Sequence, residues 1–320
     1  MTSEVEAGEN VRAWTRDTLQ ARVVRYADLV PCRNAFIDTR TPGSDAKENF
    51  TIIGPGVSEN PEQHVHIAEP HGFNIGGARQ PPRCTNSQHS HDTAEVFVVH
   101  SGRWQFTFGE HGEDAQVEAG PGDIVSFPIH AFRGFENVGE GTAFLWSVLG
   151  GDDPGRVLWA PQVFEMAKEY GLILLENGAL VDTTIGQSPP VGVNPMPVTG
   201  PDAIARLRKM RPDDIGEVIS RAPPQPRNGE ELVIGPGGRL PPAEGFTVSR
   251  LILQNGQANA ASAPLHAEVL FVQTGEVDIR TPDAELTLGK GDTMTVPAGL
   301  ERSYGALDEG AELIIVRGTG

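Results

Sequence analysis

Three residues within positions 89–95 have the side chains and the spacing of a metal site. His89 and His91 are two residues apart, so on a β-strand both imidazoles lie on the same face. Glu95 follows four residues later and would share that face if the strand continued. Two neutral imidazoles and a carboxylate suit a first-row divalent metal. The segment therefore predicts a metal site formed by His89, His91 and Glu95.

The elements that must position these residues read as short strands. Apolar and β-branched runs separated by glycine and proline occur at residues 73–77, 94–100, 104–108, 124–127, 132–135 and 143–149. Such regular spacing of short strands is typical of an all-β sandwich or barrel. Residues 161–171 and 201–210 each begin with proline and are predicted to be helices. Residues 1–10 are predicted to be disordered.

The second half of the chain repeats the first. Residues 95–102 (EVFVVHSG) align with residues 268–275 (EVLFVQTG), and residues 121–128 (PGDIVSFP) align with residues 290–297 (KGDTMTVP). The two alignments have nearly the same offset, so the halves differ by only a few loop residues. An internal duplication explains this pattern.

Two motifs in this order resemble those of the cupin superfamily. The first is His89-x-His91-x3-Glu95-x6-Gly102, and the second is Gly122-Asp123-x4-Pro128-x-His130-x2-Arg133-x3-Asn137. With its internal duplicate, the chain resembles a bicupin, in particular the metal-dependent bicupin dioxygenases. The resemblance implies an all-β fold of two cupin jelly-roll β-barrels joined by a partly helical linker. It also implies a metal held inside a barrel by two histidines, a glutamate and usually a third histidine.

The predicted domain organisation follows from the resemblance. Residues 1–71 are expected to form an N-terminal extension that contributes strands, and residues 72–150 the barrel with the metal site. Residues 151–230 are expected to form the linker, and residues 231–320 a degenerate second barrel without metal. Cupins include dioxygenases, oxalate-degrading enzymes, isomerases, lyases and storage or sensor proteins, so the fold alone does not settle the function.

Both halves depart from the family pattern at the last ligand. Arg133 and Arg302 stand where the resemblance implies a histidine, and a protonated guanidinium cannot donate a lone pair to a metal. In the second half, Ser262 and Pro264 replace the two motif histidines and Glu268 remains. We therefore expect no metal in the second barrel and a buried pair between Glu268 and Arg302.

Arg133 leaves two interpretations of the first barrel open. In one, two histidines and one carboxylate hold the metal with open positions, and Arg133 clamps an anionic group of the substrate. In the other, Arg133 neutralises Glu95 and the histidines hold no metal. His130 is a candidate pocket residue or fourth ligand.

Further candidates lie outside the ligand set. Trp104 and Phe106 alternate along a strand and are candidates for a substrate pocket, with packing in the core as the alternative. His64, His66 and His71 form a second group of histidines whose role the sequence leaves open.

The bulk composition argues against several classes of function. A formal net charge of −18 would repel a nucleic-acid backbone. The acidic N-terminus has no apolar stretch of a signal peptide, and no run approaches the ~18 apolar residues of a membrane helix. We therefore expect a cytoplasmic protein without nucleic-acid or membrane partners, in which Cys32 and Cys84 are reduced thiols.

The leading hypothesis from the sequence is a metal-dependent dioxygenase, an oxidoreductase acting on a small anionic substrate that can be aromatic. Fe(II) is the favoured metal, with Zn, Ni and Mn as alternatives. Two other hypotheses stay open: a non-catalytic bicupin that binds a small ligand or a metal, and a non-redox isomerase or lyase. A homodimer is expected, because bicupins commonly expose sheet edges and N-terminal arms that can pair.

Overall fold

The computed structural model describes residues 14–224, 227–307 and 309–319 of the chain. The disorder predicted for residues 1–10 lies outside the described residues. Short strands dominate, and the α-helices are α1 (Arg16–Gln20), α2 (Pro161–Glu169) and α3 (Pro201–Ile204). None of the described helices has the length and apolar character that crossing a membrane requires.

The strands are as follows in chain order. Those of the first half are β1 (Val23–Val24), β2 (Glu48–Ile53), β3 (Val65–Ile67), β4 (Phe73–Gln80), β5 (Thr85–Ser90), β6 (Glu95–Val99), β7 (Trp104–Phe108), β8 (Ala115–Ala119), β9 (Ile124–Phe127), β10 (Arg133–Asn137), β11 (Ala143–Gly150) and β12 (Leu158–Trp159). Those of the second half are β13 (Leu172–Leu174), β14 (Leu180–Asp182), β15 (Ile219–Ser220), β16 (Gly229–Ile234), β17 (Phe246–Leu253), β18 (Glu268–Thr274), β19 (Val277–Arg280), β20 (Glu285–Leu288), β21 (Thr293–Val296), β22 (Ser303–Ala306) and β23 (Ala311–Gly318).

The first barrel consists of two sheets that share one core. A seven-stranded sheet has the order β15-β9-β6-β11-β4-β2-β3, and a five-stranded sheet has the order β12-β5-β10-β7-β8. Alternate residues of the strands point inward, because side chains on a strand alternate between faces. Phe97 of β6, Trp104 of β7 and Phe135 of β10 thereby meet in one buried cluster.

The second barrel repeats this arrangement with fewer strands. Its sheets have the orders β1-β21-β18-β23-β17-β16 and β20-β19-β22, and a second apolar cluster fills the space between them. The fold class predicted from the sequence, two cupin jelly-roll barrels joined by a partly helical linker, is confirmed.

The two barrels pack against each other through their larger sheets. An apolar cluster combines residues of both barrels, and in it the rings of Trp146 and Phe271 stack with centroids 4.8 Å apart. The indole N–H of Trp146 donates to the hydroxyl of Thr293 at 3.1 Å. The N-terminal segment joins both units, because β1 pairs with β21 of the second barrel while β2 pairs with β4 of the first.

The linker contains one of the two predicted helices over nearly its whole length. Helix α2 begins at Pro161, as predicted, and ends at Glu169, two residues before the predicted end. The prediction of a helix over residues 201–210 is wrong beyond Ile204. The chain leaves the helix there because the backbone N–H of Arg208 donates to the carbonyl of His130 at 2.7 Å, next to an isolated bridge to Ala131. Contact with the first barrel thus overrides the local preference for helix.

Candidate metal centre

The three candidate ligands come from two different sheets and from the segment that joins them. His89 lies near the end of β5, His91 follows in the connecting segment after Ser90, and Glu95 is the first residue of β6. A continuous strand from His89 to Glu95 is therefore not what brings these residues together. The turn after β5 takes the chain from the five-stranded to the seven-stranded sheet, and this places the carboxylate opposite the imidazoles.

The ligand atoms of His89, His91 and Glu95 all lie within 4.8 Å of one another. Nε2 of His91 is 3.6 Å from Oε1 of Glu95. The three residues are only 4%, 2% and 5% exposed, respectively. Few positions in a protein interior carry three such polar groups so close together, because burying them without a partner costs free energy.

Both histidines are neutral at pH 7. Burial, together with the nearby positive charge of Arg133, lowers the pKa of His89 to about 3. Burial, followed by the charge of Arg133, also holds the pKa of His91 well below its ordinary value. A neutral imidazole keeps a lone pair on one ring nitrogen, which is the form that binds a metal.

A hydrogen bond determines which nitrogen of His89 has the lone pair. Nδ1 is 2.7 Å from the backbone carbonyl of Ser87, and a carbonyl can only accept. Nδ1 therefore carries the proton, and Nε2 has the lone pair. Nδ1 of His91 is buried and has no hydrogen-bond partner among the described residues, whereas its Nε2 is beside Glu95.

Arg133 lies within the same cluster and contacts only one side of the carboxylate. Its Nε and Nη2 donate to Oε2 of Glu95 at 3.0 and 2.7 Å, and its Nη1 donates to the carbonyl of Ala131 at 3.3 Å. Oε1 of Glu95 stays on the side of His91. The residues therefore fit a divalent metal held by His89, His91 and Glu95, with Arg133 outside the ligand set.

A cavity of about 70 Å³ adjoins the site. Its wall includes the three candidate ligands together with side chains from β2, β4 and β11 and from the segment before β3. The lining residues nearest in sequence to the N-terminus are Ala35, Phe36, Asn49, Phe50 and Thr51. The N-terminal extension therefore covers the barrel next to the site.

The equivalent position in the second barrel is occupied by an ionic network. Nε of Arg302 donates to Oε1 of Glu268 at 2.7 Å, and Nε of Arg317 donates to Oε2 at 2.9 Å. The hydroxyl of Tyr304 also donates to Oε1, and Nη1 of Arg302 donates to the hydroxyl of Ser262 at 2.7 Å. The predicted pair between Glu268 and Arg302 is confirmed, and both oxygens of Glu268 accept hydrogen bonds.

Comparisons with known proteins agree with this architecture. The family model for the Cupin domain matches residues 78–149, which include the three candidate ligands and Arg133. No curated protein matches the chain.

Several solved structures resemble the chain over both barrels. The oxalate decarboxylase from Bacillus subtilis is 14% identical with a TM-score of 0.56, and the match covers 92% of this chain and 75% of that one. The Lactobacillus farciminis oxalate decarboxylase in a formate complex is 12% identical with a TM-score of 0.56, covering 92% and 85%. Procruciferin, an 11S globulin from Brassica napus, is 14% identical with a TM-score of 0.54, covering 85% and 80%.

The chain contains a Cupin domain and has the bicupin fold, two cupin barrels in one polypeptide. At these identities the similarity to solved structures establishes the fold and no particular activity. The site has to be argued from its own residues.

The remaining predicted site residues of the bicupin lie away from the ligand cluster. Nε2 of His130 is 3.1 Å from Oδ1 of Asp92, and both side chains are at least half exposed. Trp104 and Phe106 are fully buried in the apolar core of the first barrel, where Phe106 packs against Phe97 with centroids 6.0 Å apart. None of these predicted residues lines the cavity at the site.

His66 and His71, from the second group of histidines, form hydrogen bonds with the backbone. Nδ1 of His66 is 3.0 Å from the carbonyl of Thr51, and its Nε2 accepts from the backbone N–H of Val30 at 3.1 Å. Nδ1 of His71 is 2.7 Å from the carbonyl of Glu69. Both nitrogens of His66 are thus engaged in holding the N-terminal segment.

Sequence reasoning missed several residues that surround the site. Trp159 of β12 pairs with His89 in the sheet, and the two rings lie 5.3 Å apart. The indole N–H of Trp159 donates to Glu59 at 2.6 Å, and burial raises the pKa of Glu59 to about 8. These residues belong to the extension and the linker, which carry no recognisable motif, so only the fold brings them to the site.

Proposed function

We propose that this bicupin is a metal-dependent enzyme, an oxygen-dependent dioxygenase that acts on a small anionic substrate in the first barrel. The observation that supports this most is the cluster of His89, His91 and Glu95, whose ligand atoms lie within 4.8 Å of one another in the barrel interior. Two histidines and one carboxylate are the ligand set of many non-haem Fe(II) oxygenases, so Fe(II) is the metal we favour, ahead of Zn, Ni and Mn.

The residues of the chain supply the ligands and their orientation. Nε2 of His89 and Oε1 of Glu95 point their lone pairs toward the cluster, and Arg133 holds the other oxygen of Glu95. A bound divalent metal would offer open positions for O2 and for an oxygen of the substrate. Because two N–H groups of Arg133 are already bonded to Glu95, we assign Arg133 to orienting that carboxylate rather than to clamping the substrate.

The cavity limits the size of the substrate. Its volume is about 70 Å³. A buried apolar cavity of about 150 Å³ can hold benzene. An aromatic ring would therefore require the lining to move, and a small aliphatic acid is the class that fits the site as it stands.

A second candidate function is a bicupin that binds a small ligand or a metal and does no chemistry. The specific observation in its favour is the ion pair between Arg133 and Glu95. The matching pair in the second barrel, Arg302 and Glu268, belongs to a network that satisfies the carboxylate without a metal. The pair in the first barrel can have the same structural role. Oxygen consumption separates this candidate from the first.

Metal analysis of protein purified without chelators tests the proposal. We expect about one equivalent of metal after anaerobic addition of Fe(II), and O2 uptake when short-chain carboxylic acids are added. Less than a tenth of an equivalent would overturn the metal site, and full metal content without O2 uptake across the acid series would favour the second candidate. The His91→Ala variant should lose the metal, whereas His266→Ala in the second barrel should retain it and serves as the control.

Two further expectations accompany the proposal. A homodimer is expected from the exposed sheet edges of bicupins, and sedimentation velocity would measure it. A cytoplasmic location is also expected, and fractionation of the source cells would test it.

A further inference from the structure

We propose that Asp38 and Lys47, both in the N-terminal extension, are positioning residues that orient the metal ligand His89. The inference rests on the proposed metal site, and it concerns residues that lie outside the segment matched by the Cupin domain model. It follows from a buried ion pair, a β-bulge and a backbone hydrogen bond.

Asp38 and Lys47 form an ion pair whose side chains are both 0% exposed. Nζ of Lys47 also donates to Oδ1 of Asn86 at 3.0 Å, and Oδ2 of Asp38 accepts from the backbone N–H of Ser87 at 3.0 Å. The pair thus holds β5 at two consecutive residues, the second of which is two positions before His89. A buried pair of this kind contributes little net stability, because the desolvation of both charges offsets their attraction.

The two contacts fall on a β-bulge. Strand β10 advances by two residues from Arg133 to Phe135, whereas its partner β5 advances by three from His89 to Asn86. One extra residue in β5 is therefore left without a partner, and such bulges redirect the side chains that follow. Gly134 of β10 allows this close approach, because a Cβ there would lie 2.8 Å from the carbonyl oxygen of Asn86.

The bulge contains the carbonyl group that determines which nitrogen of His89 carries the proton. The carbonyl of Ser87 accepts from Nδ1 of His89 at 2.7 Å, so Nε2 keeps the lone pair. The backbone N–H of the same residue, Ser87, is the one bonded to Asp38. The ion pair therefore anchors Ser87, the residue whose carbonyl selects the metal-binding tautomer of His89.

The test uses the double variant Asp38→Leu/Lys47→Met, which removes both charges and the acceptor for the N–H of Ser87, and leaves no unpaired buried ion. Two readouts are needed: the dissociation constant for Co(II), and the tautomer of His89 in metal-free protein from 15N chemical shifts at pH 7.5, assigned with His89→Gln. We expect binding to weaken by about 10- to 100-fold. We also expect His89 to change from one tautomer, protonated at Nδ1, to a mixture of two.

Ser44→Ala is the matched control. The hydroxyl of Ser44, from the same segment, donates to the carbonyl of Thr85 at 2.9 Å, at the start of β5 and away from the bulge. This variant should keep the parent tautomer and bind Co(II) within about twofold of the parent. If this variant does not fold, Asp38→Asn/Lys47→Met, which also leaves no unpaired buried ion and keeps only an uncharged acceptor for the N–H of Ser87, is measured in the same way and should shift the tautomer in the same direction.

The outcomes are distinct. An unchanged His89 tautomer in the double variant, with Co(II) affinity equal to that of the parent, would overturn the positioning role and leave the metal site intact. A parent protein that takes up no Co(II) would overturn the proposed function, and this inference with it, whatever the tautomer.

Discussion

Replacing Arg133 with methionine tests how the charge of Glu95 is compensated. Arg133 donates two hydrogen bonds to Oε2, and both residues are at most 5% exposed. Methionine has a similar length but no charge, so the variant leaves a buried carboxylate without its cation. Breaking a buried pair in this way costs about 3–5 kcal/mol of unfolding free energy. We expect that loss for Arg133→Met in the presence of a chelator at pH 7.5.

A metal should restore much of the loss in the first barrel only. A ligand that binds the folded state alone, at 100 times its dissociation constant, stabilises the protein by about 2.7 kcal/mol. Because Glu95 would be one of the ligands of the metal, a bound metal would supply positive charge beside the carboxylate in place of Arg133. The comparator is Arg302→Met, where Glu268 keeps Arg317 at 2.9 Å, so we expect a smaller loss of about 1.5–3 kcal/mol. Its first-barrel site is intact, so a metal should stabilise it only as much as it stabilises the parent.

The assay is urea denaturation of the parent and both variants, each with EDTA and with a saturating divalent metal. Equal slopes of free energy against urea are needed for the comparison, because a changed slope indicates a changed unfolded state. If Arg133→Met loses less than about 1 kcal/mol, Glu95 does not depend on Arg133. If metal stabilises Arg133→Met no more than it stabilises the parent and Arg302→Met, metal binding does not compensate the charge of Glu95.

Three further predictions concern other parts of the structure. Arg133→His should bind Co(II) at least about tenfold more tightly than the parent, because it adds an imidazole ligand. Calorimetry would measure the two dissociation constants, and equal affinity would contradict the ligand geometry. Burial lowers the pKa of His100 to about 4, so below pH 6.5 the unfolded state takes up a proton that the folded state does not, and stability falls as pH drops toward 4. His100→Gln introduces the residue that the second barrel has at the duplicate position, Gln273. It should remove up to about 3 kcal/mol of the loss of stability between pH 6.5 and 4, measured as the urea midpoint against pH. Identical pH profiles of the variant and the parent would refute this prediction. Gly102→Ala should lower the free energy of unfolding by about 2–4 kcal/mol, as urea denaturation would measure. Gly102 has φ of +82°, and a Cβ there would lie 2.2 Å from that of Ala143. The control Gly141→Ala has open space around it and should be nearly neutral.

Much of the fold was predictable from local patterns. The strands at residues 104–108 and 124–127 were predicted with the bounds that β7 and β9 have, because alternating apolar side chains and flanking turn residues are local properties. The helix expected over residues 201–210 failed because Arg208 pairs with the backbone of His130, a contact between segments far apart in the chain. Trp104 and Phe106 were placed on one face correctly, but only packing decided that this face is the core.

The sequence by itself determined which residue types could bind a metal and that the second barrel has lost two of them. His89, His91, Glu95 and Arg133 stand at motif spacings, and side-chain chemistry alone excludes arginine as a ligand. The tertiary structure decided what Arg133 contacts, how small the cavity is, and that Asp38 and Lys47 hold the strand before His89. These facts depend on contacts between residues tens of positions apart, and no local pattern encodes the distances between them.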